Sequence, residues 1–521
     1  MSKSAPPHQP VNLKIQAVKN VGSSWLALAV TVAVGFFLAP FILHKLGDEA
    51  YGLWILVFSL TGYYSLFDLG IRSTIVRYVS KLTTTGDDDQ LSRIINTSFL
   101  SYSVLAVSLL VVTAIGSRVI DLLFHVPPAF LNTAPLLFLI VGSSIALNFP
   151  LGLFAGILEG LQKFYWLNLI QIISILLRAW LIVVALNRGG GLVTLTLITV
   201  SFPLLSSVAH ILMVRRSLPL PFGAKFVDRR SFRQLISYGA ATFMIIVAAR
   251  LRFQTDALVI GMFLSSSAIT LFSIGSKLVD YPTDVVQSLA QIFTPMSSQF
   301  DSTGDTEGLR KMFVAGNRAC ALTIFPICAA LVILGRSLIE IWVGPKYLAS
   351  YAILLILILS TTLYSAQATS TKILFGISRH RVLAAVVLVE GAANLVLSIV
   401  LVRYLGIIGV ALGTAIPLTC TSIFFLPLHL CRILKIPLGT FLRQAYLLPL
   451  ALCAPFAVAL LSMRHLFHAR TYFQFMLQLG PGALVYGVGL LWLFFTREAM
   501  GIKMWTRFTQ FLHESAGWRN R

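Results

Sequence analysis

The chain has 521 residues, 57% of them hydrophobic and only 11% charged, with a formal net charge of +21. A soluble globular chain carries about 25% charged residues, so this composition excludes a soluble protein and describes a polytopic membrane protein. The positive charge does not indicate nucleic acid, because the basic residues stand singly between apolar runs and form no long patch.

A helix rises about 1.5 Å per residue and the hydrocarbon is about 30 Å thick, so roughly twenty apolar residues define a span. On that rule the chain is an all-α polytopic membrane protein with about 14 transmembrane helices. A polar segment, 1–20, precedes the first run, which is too long for a signal-peptide core and is read as a retained span. Six spans follow within 21–214, at 21–43, 51–71, 94–116, 134–156, 166–187 and 192–214. A basic linker, 215–237, leads to six more within 238–430, at 238–264, 268–300, 319–335, 351–371, 383–402 and 409–430. Two further spans lie within 445–496, at 445–463 and 479–496. In the tail, 497–521, Met500, Met504, Trp505, Phe508, Phe511 and Leu512 recur at helical spacing, which predicts an amphipathic helix on the inner leaflet.

Lys and Arg test this assignment, since cytoplasmic loops hold the excess. Segments on the N-terminal side of the membrane hold 28 of the 40, the opposite loops eight, and the spans four. Both termini are therefore expected in the cytoplasm. Cys320, Cys328, Cys420, Cys431 and Cys453 lie in or beside spans and show no metal-ligand spacing, so no metal or cofactor is expected.

The sequence also repeats. Ile157–Lys163 (ILEGLQK) and Ile373–Arg379 (ILFGISR) share Ile-Leu-x-Gly-aliphatic-x-cation, 216 residues apart, each at the end of a span and followed by a span pair. Six intervening spans give the two copies the same direction through the membrane, which predicts two parallel six-helix bundles with the working site between them.

Polarity inside the spans carries the functional signal. In the eighth span Ser273, Lys277, Asp280, Asp284, Gln287 and Gln291 form one stripe down a helix, with Pro282 as a candidate kink. Shorter stripes are Asn168, Gln171 and Arg178 with Ser174 in the fifth span, and Thr61, Ser65, Asp68 and Arg72 in the second. Four cations, Arg178, Arg250, Arg252 and Lys277, lie within spans, and leaving them all in lipid costs about 10 to 14 kcal/mol. Arg252 has Asp256 four residues on and Lys277 has Asp280 three residues on, whereas Arg178 and Arg250 have no acid at either spacing. Each of these two sits about 18 Å into its span, too deep to snorkel, and they come from opposite halves of the repeat. A shared anion site is the expectation, with Arg178, Arg250, Gln254, Lys277 and Gln171 lining a cavity. Asp68, Asp256, Asp280 and Asp284, with Glu390, are the intramembrane acids available for coupling or gating.

The stretches YGLWILVFSLTGYYSLFDLGI from Tyr51, GILEGLQKFYWLN from Gly156 and TDALVIGMFLSSSAITLFSIGSKL from Thr255 resemble the polysaccharide-transporter family of flippases. That family, which includes the Wzx-type O-antigen flippases, belongs to the multidrug, oligosaccharidyl-lipid and polysaccharide exporter superfamily. The resemblance implies two six-helix bundles in a V around a cationic cavity, two extra C-terminal helices, and alternating access. It further implies transport of a polyprenyl diphosphate-linked oligosaccharide to the outer leaflet of the inner membrane, for cell-surface polysaccharides such as the O-antigen of lipopolysaccharide. The partners it implies are membrane lipids and the polysaccharide assembly machinery, around a monomeric protein. Its motif positions fall on Tyr51, Gly52, Asp68, Gly70, Gly160 and Asp256, mostly as structural residues.

Two rivals follow from the same residues. A multidrug or cation antiporter of the superfamily often couples through an acid in the first span, yet 21–43 contains no ionisable residue. A membrane glycan-processing enzyme would need a catalytic constellation. Asp87, Asp88 and Asp89 read as a solvated turn, and no nucleophile-base pairing or phosphate loop is visible.

Overall fold

The computed structural model describes residues 13–218, 221–237, 243, 247, 250 and 254–496. Residues 1–12, Arg252 and the tail 497–521 lie outside the described residues, and with them the expected Arg252–Asp256 pair and the amphipathic tail helix. Helices α1 (Leu13–Leu46), α2 (Asp48–Gly62), α3 (Ile71–Thr85), α4 (Asp88–Gly116), α5 (Thr133–Gly160), α6 (Phe164–Asn187) and α7 (Leu192–Ser217) form a first half. The second comprises α8 (Thr255–Phe263), α9 (Ser266–Ala290), α10 (Phe293–Ser302), α11 (Thr306–Trp342), α12 (Ser350–Ala366), α13 (Ala368–Gly376), α14 (His380–Leu405), α15 (Ile407–Cys420) and α16 (Leu426–Leu434). Two more helices follow, α17 (Leu438–Leu466) packed on α11, and α18 (Tyr472–Thr496) packed on α17.

Among the described residues eleven helical stretches are long and apolar enough to span a membrane, or twelve if α12 and α13, bent by 43°, count as one. α9 is not among them, because its polar stripe places Lys277, Asp280 and Asp284 on a 25-residue helix. α9 runs unbroken through Pro282 to Ala290, with Gln291 at its C-cap, so the expected single span 268–300 is two helices, α9 and α10.

Side-chain caps set several helix starts. Ser265 accepts from the Ala268 N–H at 3.2 Å, and Asp305 accepts from the Gly308 N–H at 2.7 Å. The Asp87–Asp89 run is such a cap and not a free turn. Asp87 accepts from the Gln90 N–H at 3.0 Å, Asp88 and Asp89 sit against the helix dipole, and Asp89 pairs with Arg93 at 2.8 Å. Thr83–Thr85 before it are the last turn of α3, which Gly86 closes at φ +73°.

The repeated motif folds the same way twice. Gln162 and Ser378, at its sixth position, both take left-handed φ values, 56° and 59°. The amide of the following cation donates to the carbonyl five residues back in each copy, Lys163 to Leu158 and Arg379 to Leu374, both at 2.9 Å. Both glycines are crowded, Gly160 against Val79 and Gly376 against Ser297, so the motif's glycine allows a close helix approach in each half.

The halves meet along α2, α8 and α9, and their contacts cluster at the end that carries Gly47, Ser265 and Gly344. There Thr270 Oγ1 donates to the Asp48 carbonyl at 2.6 Å, and Lys346 Nζ pairs with Asp48 at 3.0 Å. Trp342 donates its indole N–H to the Phe36 carbonyl at 2.6 Å and stacks on that ring, and the His125 N–H reaches the Gly261 carbonyl at 2.9 Å. A Cβ on Gly52 would stand 1.8 Å from the Ser266 carbonyl oxygen, so α2 and α9 touch backbone to backbone. Gly52→Ala is therefore expected to lower stability by about 1–3 kcal/mol, seen as a reduced thermal midpoint in detergent. Gly22→Ala, which meets nothing within 4 Å, is the control that leaves the midpoint unchanged.

Candidate functional site

Arg250 lies close to the seam between the halves, within electrostatic reach of Tyr63 on the first half. Further cross-half contacts are Tyr63 with Thr255, hydroxyl to hydroxyl at 3.1 Å, and the Gln254 side chain against Gly62. The Gln254 N–H donates to the Arg250 carbonyl at 3.1 Å, so Arg250 lies one helical turn from that contact, half-buried. The Oε1 of Gln254 is buried and unpartnered against α2. Its amide oxygen packs against Gly62 at the contact between the halves, and the residue as a whole is partly exposed.

On α9 the side chains of Lys277 and Asp280 are 54% and 53% exposed and pair at 3.5 Å. Asp284 on the same helix and Gln291 at its C-cap are exposed. The stripe is not wet throughout. Ser273 is buried and donates back to the Thr270 carbonyl, and Gln287 Nε2 is buried without a partner. What remains open is a run of one cation and two acids on a helix at the junction of the halves.

The fifth-span stripe is partly structural. Asn168 donates to Ser23 and Ser24 of α1 at 2.9 and 3.0 Å, and Ser174 bonds Ser206 of α7 at 2.7 Å. Gln171 is exposed and Arg178 half-buried beyond these contacts. Among the described residues neither Arg178 nor Arg250 forms an ion pair. The two arginines stand on different helix groups, since α6 packs on α1, α5 and α7.

The acids occupy three separate settings. Asp68 accepts from the Tyr102 hydroxyl, inside the first half. The second-span stripe that should hold it is broken by a 3-10 turn, Tyr63–Asp68, and by left-handed Leu69 and Gly70, so Thr61, Ser65, Asp68 and Arg72 share no face. Arg72 instead pairs with Glu159 at 2.5 Å, a partner 87 residues away with no spacing to betray it. Asp256 accepts from Thr414 at 2.8 Å, Asn394 donates to Thr414 at 3.2 Å, and Ser398 donates to Asn394 at 3.1 Å, with buried Glu390 one turn before Asn394. Asp280 and Asp284 stay on the open face of α9. Asn394 lies 216 residues after Arg178, the same offset as the repeated motif, so the position that carries an arginine in one half belongs to the Asp256 network in the other.

Residues 45–352 match the family described as "Polysaccharide biosynthesis protein". The chain belongs to that family. The chain is 25% identical to the "Uncharacterized membrane protein EpsK" of Bacillus subtilis over 432 residues, 81% of this chain and 85% of EpsK. It is 20% identical to the "Probable low-salt glycan biosynthesis flippase Agl15" of Haloferax volcanii over 194 residues, 37% of this chain and 41% of Agl15. Its fold is that of the lipid II flippase MurJ in an inward closed conformation, with a TM-score of 0.72 at 17% identity, covering 91% of this chain and 98% of MurJ. The expected V of two bundles with two C-terminal helices is thus the observed fold class of this polysaccharide family member.

Proposed function

We propose that the protein is a flippase carrying a lipid-diphosphate-linked oligosaccharide from the inner to the outer leaflet of the cytoplasmic membrane by alternating access. The observation that carries this reading is the pair of half-buried arginines, Arg178 and Arg250, that have no carboxylate partner among the described residues. A guanidinium binds phosphate through paired, charge-assisted hydrogen bonds, and a low-dielectric site strengthens them. Asp280 and Asp284 on α9, Gln291 at its C-cap and Gln171 on α6 offer hydrogen bonds to glycan hydroxyls while the lipid tail stays in the bilayer. Family membership and the similarity to proteins named as flippases support the same substrate class. With both termini in the cytoplasm, the joined end faces outward and the cavity opens to the cytoplasm, where the cargo is made. The test is reconstitution in vesicles with a fluorescent polyprenyl diphosphate oligosaccharide. Transfer to the opposite leaflet supports the proposal, and retention in the loading leaflet refutes it.

Asp256 is the acid placed to couple transport to an ion. One carboxylate beside a hydroxyl and an amide is a polar set suited to a proton or sodium, and it lies six residues after Arg250 in the chain. Asp256→Asn is expected to insert normally and to lower flipping roughly tenfold, the loss of one charged hydrogen bond. The remaining flux should no longer respond to protonophore or sodium removal, and unchanged ion dependence assigns coupling elsewhere. The antiporter reading makes a separable prediction, extrusion of a cationic dye, which the unpaired arginines disfavour.

A further inference from the structure

A second concavity lies on the flank of the second half, away from the junction of the halves. It is a groove of about 1050 Å³ walled by α11, α12, α16 and α17, and none of its lining residues belongs to α1–α9. It forms where two neighbouring helices are both irregular. α12 breaks at Gln367, and the chain between α15 and α16 takes a π-helical turn over Thr421–Phe425. Gln367 Nε2 donates to the Ser422 carbonyl at 2.6 Å and ties the two irregularities together at the groove floor. π-turns of this kind are frequent at functional sites.

The walls are apolar and graded in polarity along one axis. Leu359, Phe424 and Leu447 are 65%, 63% and 57% exposed, while Arg443 stands exposed toward the end where α17 begins. Along α17 the lining runs from Leu438 to Cys453, about 22 Å at 1.5 Å per residue, more than the roughly 15 Å of one leaflet's hydrocarbon. Arg443 makes no ion pair or hydrogen bond among the described residues, and Arg432 and Lys435, both exposed, precede it at the same end of the bundle. An apolar trough one leaflet deep with a free guanidinium at its interfacial end has the polarity order of a phospholipid: phosphate, then chain.

We propose that this groove holds one acyl chain of an anionic glycerophospholipid whose phosphate rests on Arg443. The lipid is a resident of the flank and not cargo, because the walls share no residue with the helices at the junction of the halves. The experiment uses the full chain purified in detergent, with thermal unfolding followed after addition of dioleoyl phosphatidylglycerol or dioleoyl phosphatidylcholine. Phosphatidylglycerol is expected to raise the midpoint by more than phosphatidylcholine. Arg443→Gln should abolish that difference, and Leu447→Trp, which fills the trough, should abolish the response to both lipids. If Leu447→Trp does not fold, Leu359→Trp on the opposite wall carries the same test. Equal shifts from the two lipids, or a wild-type response in Arg443→Gln, overturns the proposal. Displacement of phosphatidylglycerol by a polyprenyl phosphate also overturns it, by giving the groove to the cargo's tail.

Discussion

Arg250→Ala should reach the membrane at the wild-type level and lower surface glycan assembly about ten- to a hundred-fold, the loss of one hydrogen bond to a charged group at 1.5–3 kcal/mol. The contrast with a structural role is sharp. An arginine that only held helices together would leave a carboxylate buried and unpaired when removed, and the protein would fall in abundance. Arg250 has no such partner among the described residues, and an arginine at mid-membrane costs about 2.5–3.5 kcal/mol to insert. Alanine there should insert at least as well as arginine. Arg178→Ala is expected to show the same split between normal abundance and lost export, and Lys at either position should restore part of it, since an ammonium keeps the charge and loses the fork. The measurement is complementation of a deletion strain, with glycan and protein quantified together. Normal assembly in both alanine variants removes these residues from the mechanism.

The sequence made the helical architecture readable because a bilayer imposes a length and a polarity on every span. The repeat was readable for a similar reason. A glycine at a close helix approach and a left-handed residue two positions later leave a mark short enough to survive at Gly160 and Gln162, and again at Gly376 and Ser378. Partners across helices were not readable. Arg72 with Glu159, Asp68 with Tyr102 and Asp256 with Thr414 are joined over 87, 34 and 158 residues, and no helical spacing links them. Helical periodicity also misassigned polarity wherever the helix was not regular or the side chain folded back. The turn at Tyr63–Asp68 dissolved the second-span stripe, Ser273 bonded its own backbone, and Gln254 packed on Gly62. Those are local decisions made by neighbours, and the neighbours belong to other helices.

The repeat relates the two halves in fold and separates them in charge. In the second half the Asn394 position joins a network that ends on the carboxylate of Asp256, while the matching place in the first half carries Arg178. A cargo held by Arg178 and Arg250 would draw on both halves, and Asp256 lies six residues after Arg250 in the second. Any coupling between Arg178 and Asp256 must pass through contacts between the halves such as the α2, α8 and α9 seam, since no described bond joins the two residues.

Locking that seam should stop transport altogether. Asp48→Cys with Lys346→Cys, in a chain whose five native cysteines are replaced, places two thiols across the joined end, where the native pair lies at 3.0 Å. A short bifunctional, reducible thiol reagent should bridge them and reduce flipping to background, and a reductant should restore it. Each single cysteine variant should transport normally under the same reagent, because an exposed ion pair contributes at most about 1 kcal/mol. The effect is all-or-none for a geometric reason. Thr270 on the Asp48 carbonyl, Trp342 on Phe36 and Gly52 against Ser266 must all part for the cavity to open at this end, and a covalent bridge beside them prevents the separation. A crosslinked protein that still transports at the normal rate would mean that cargo leaves without opening this end, and alternating access about this seam would fall.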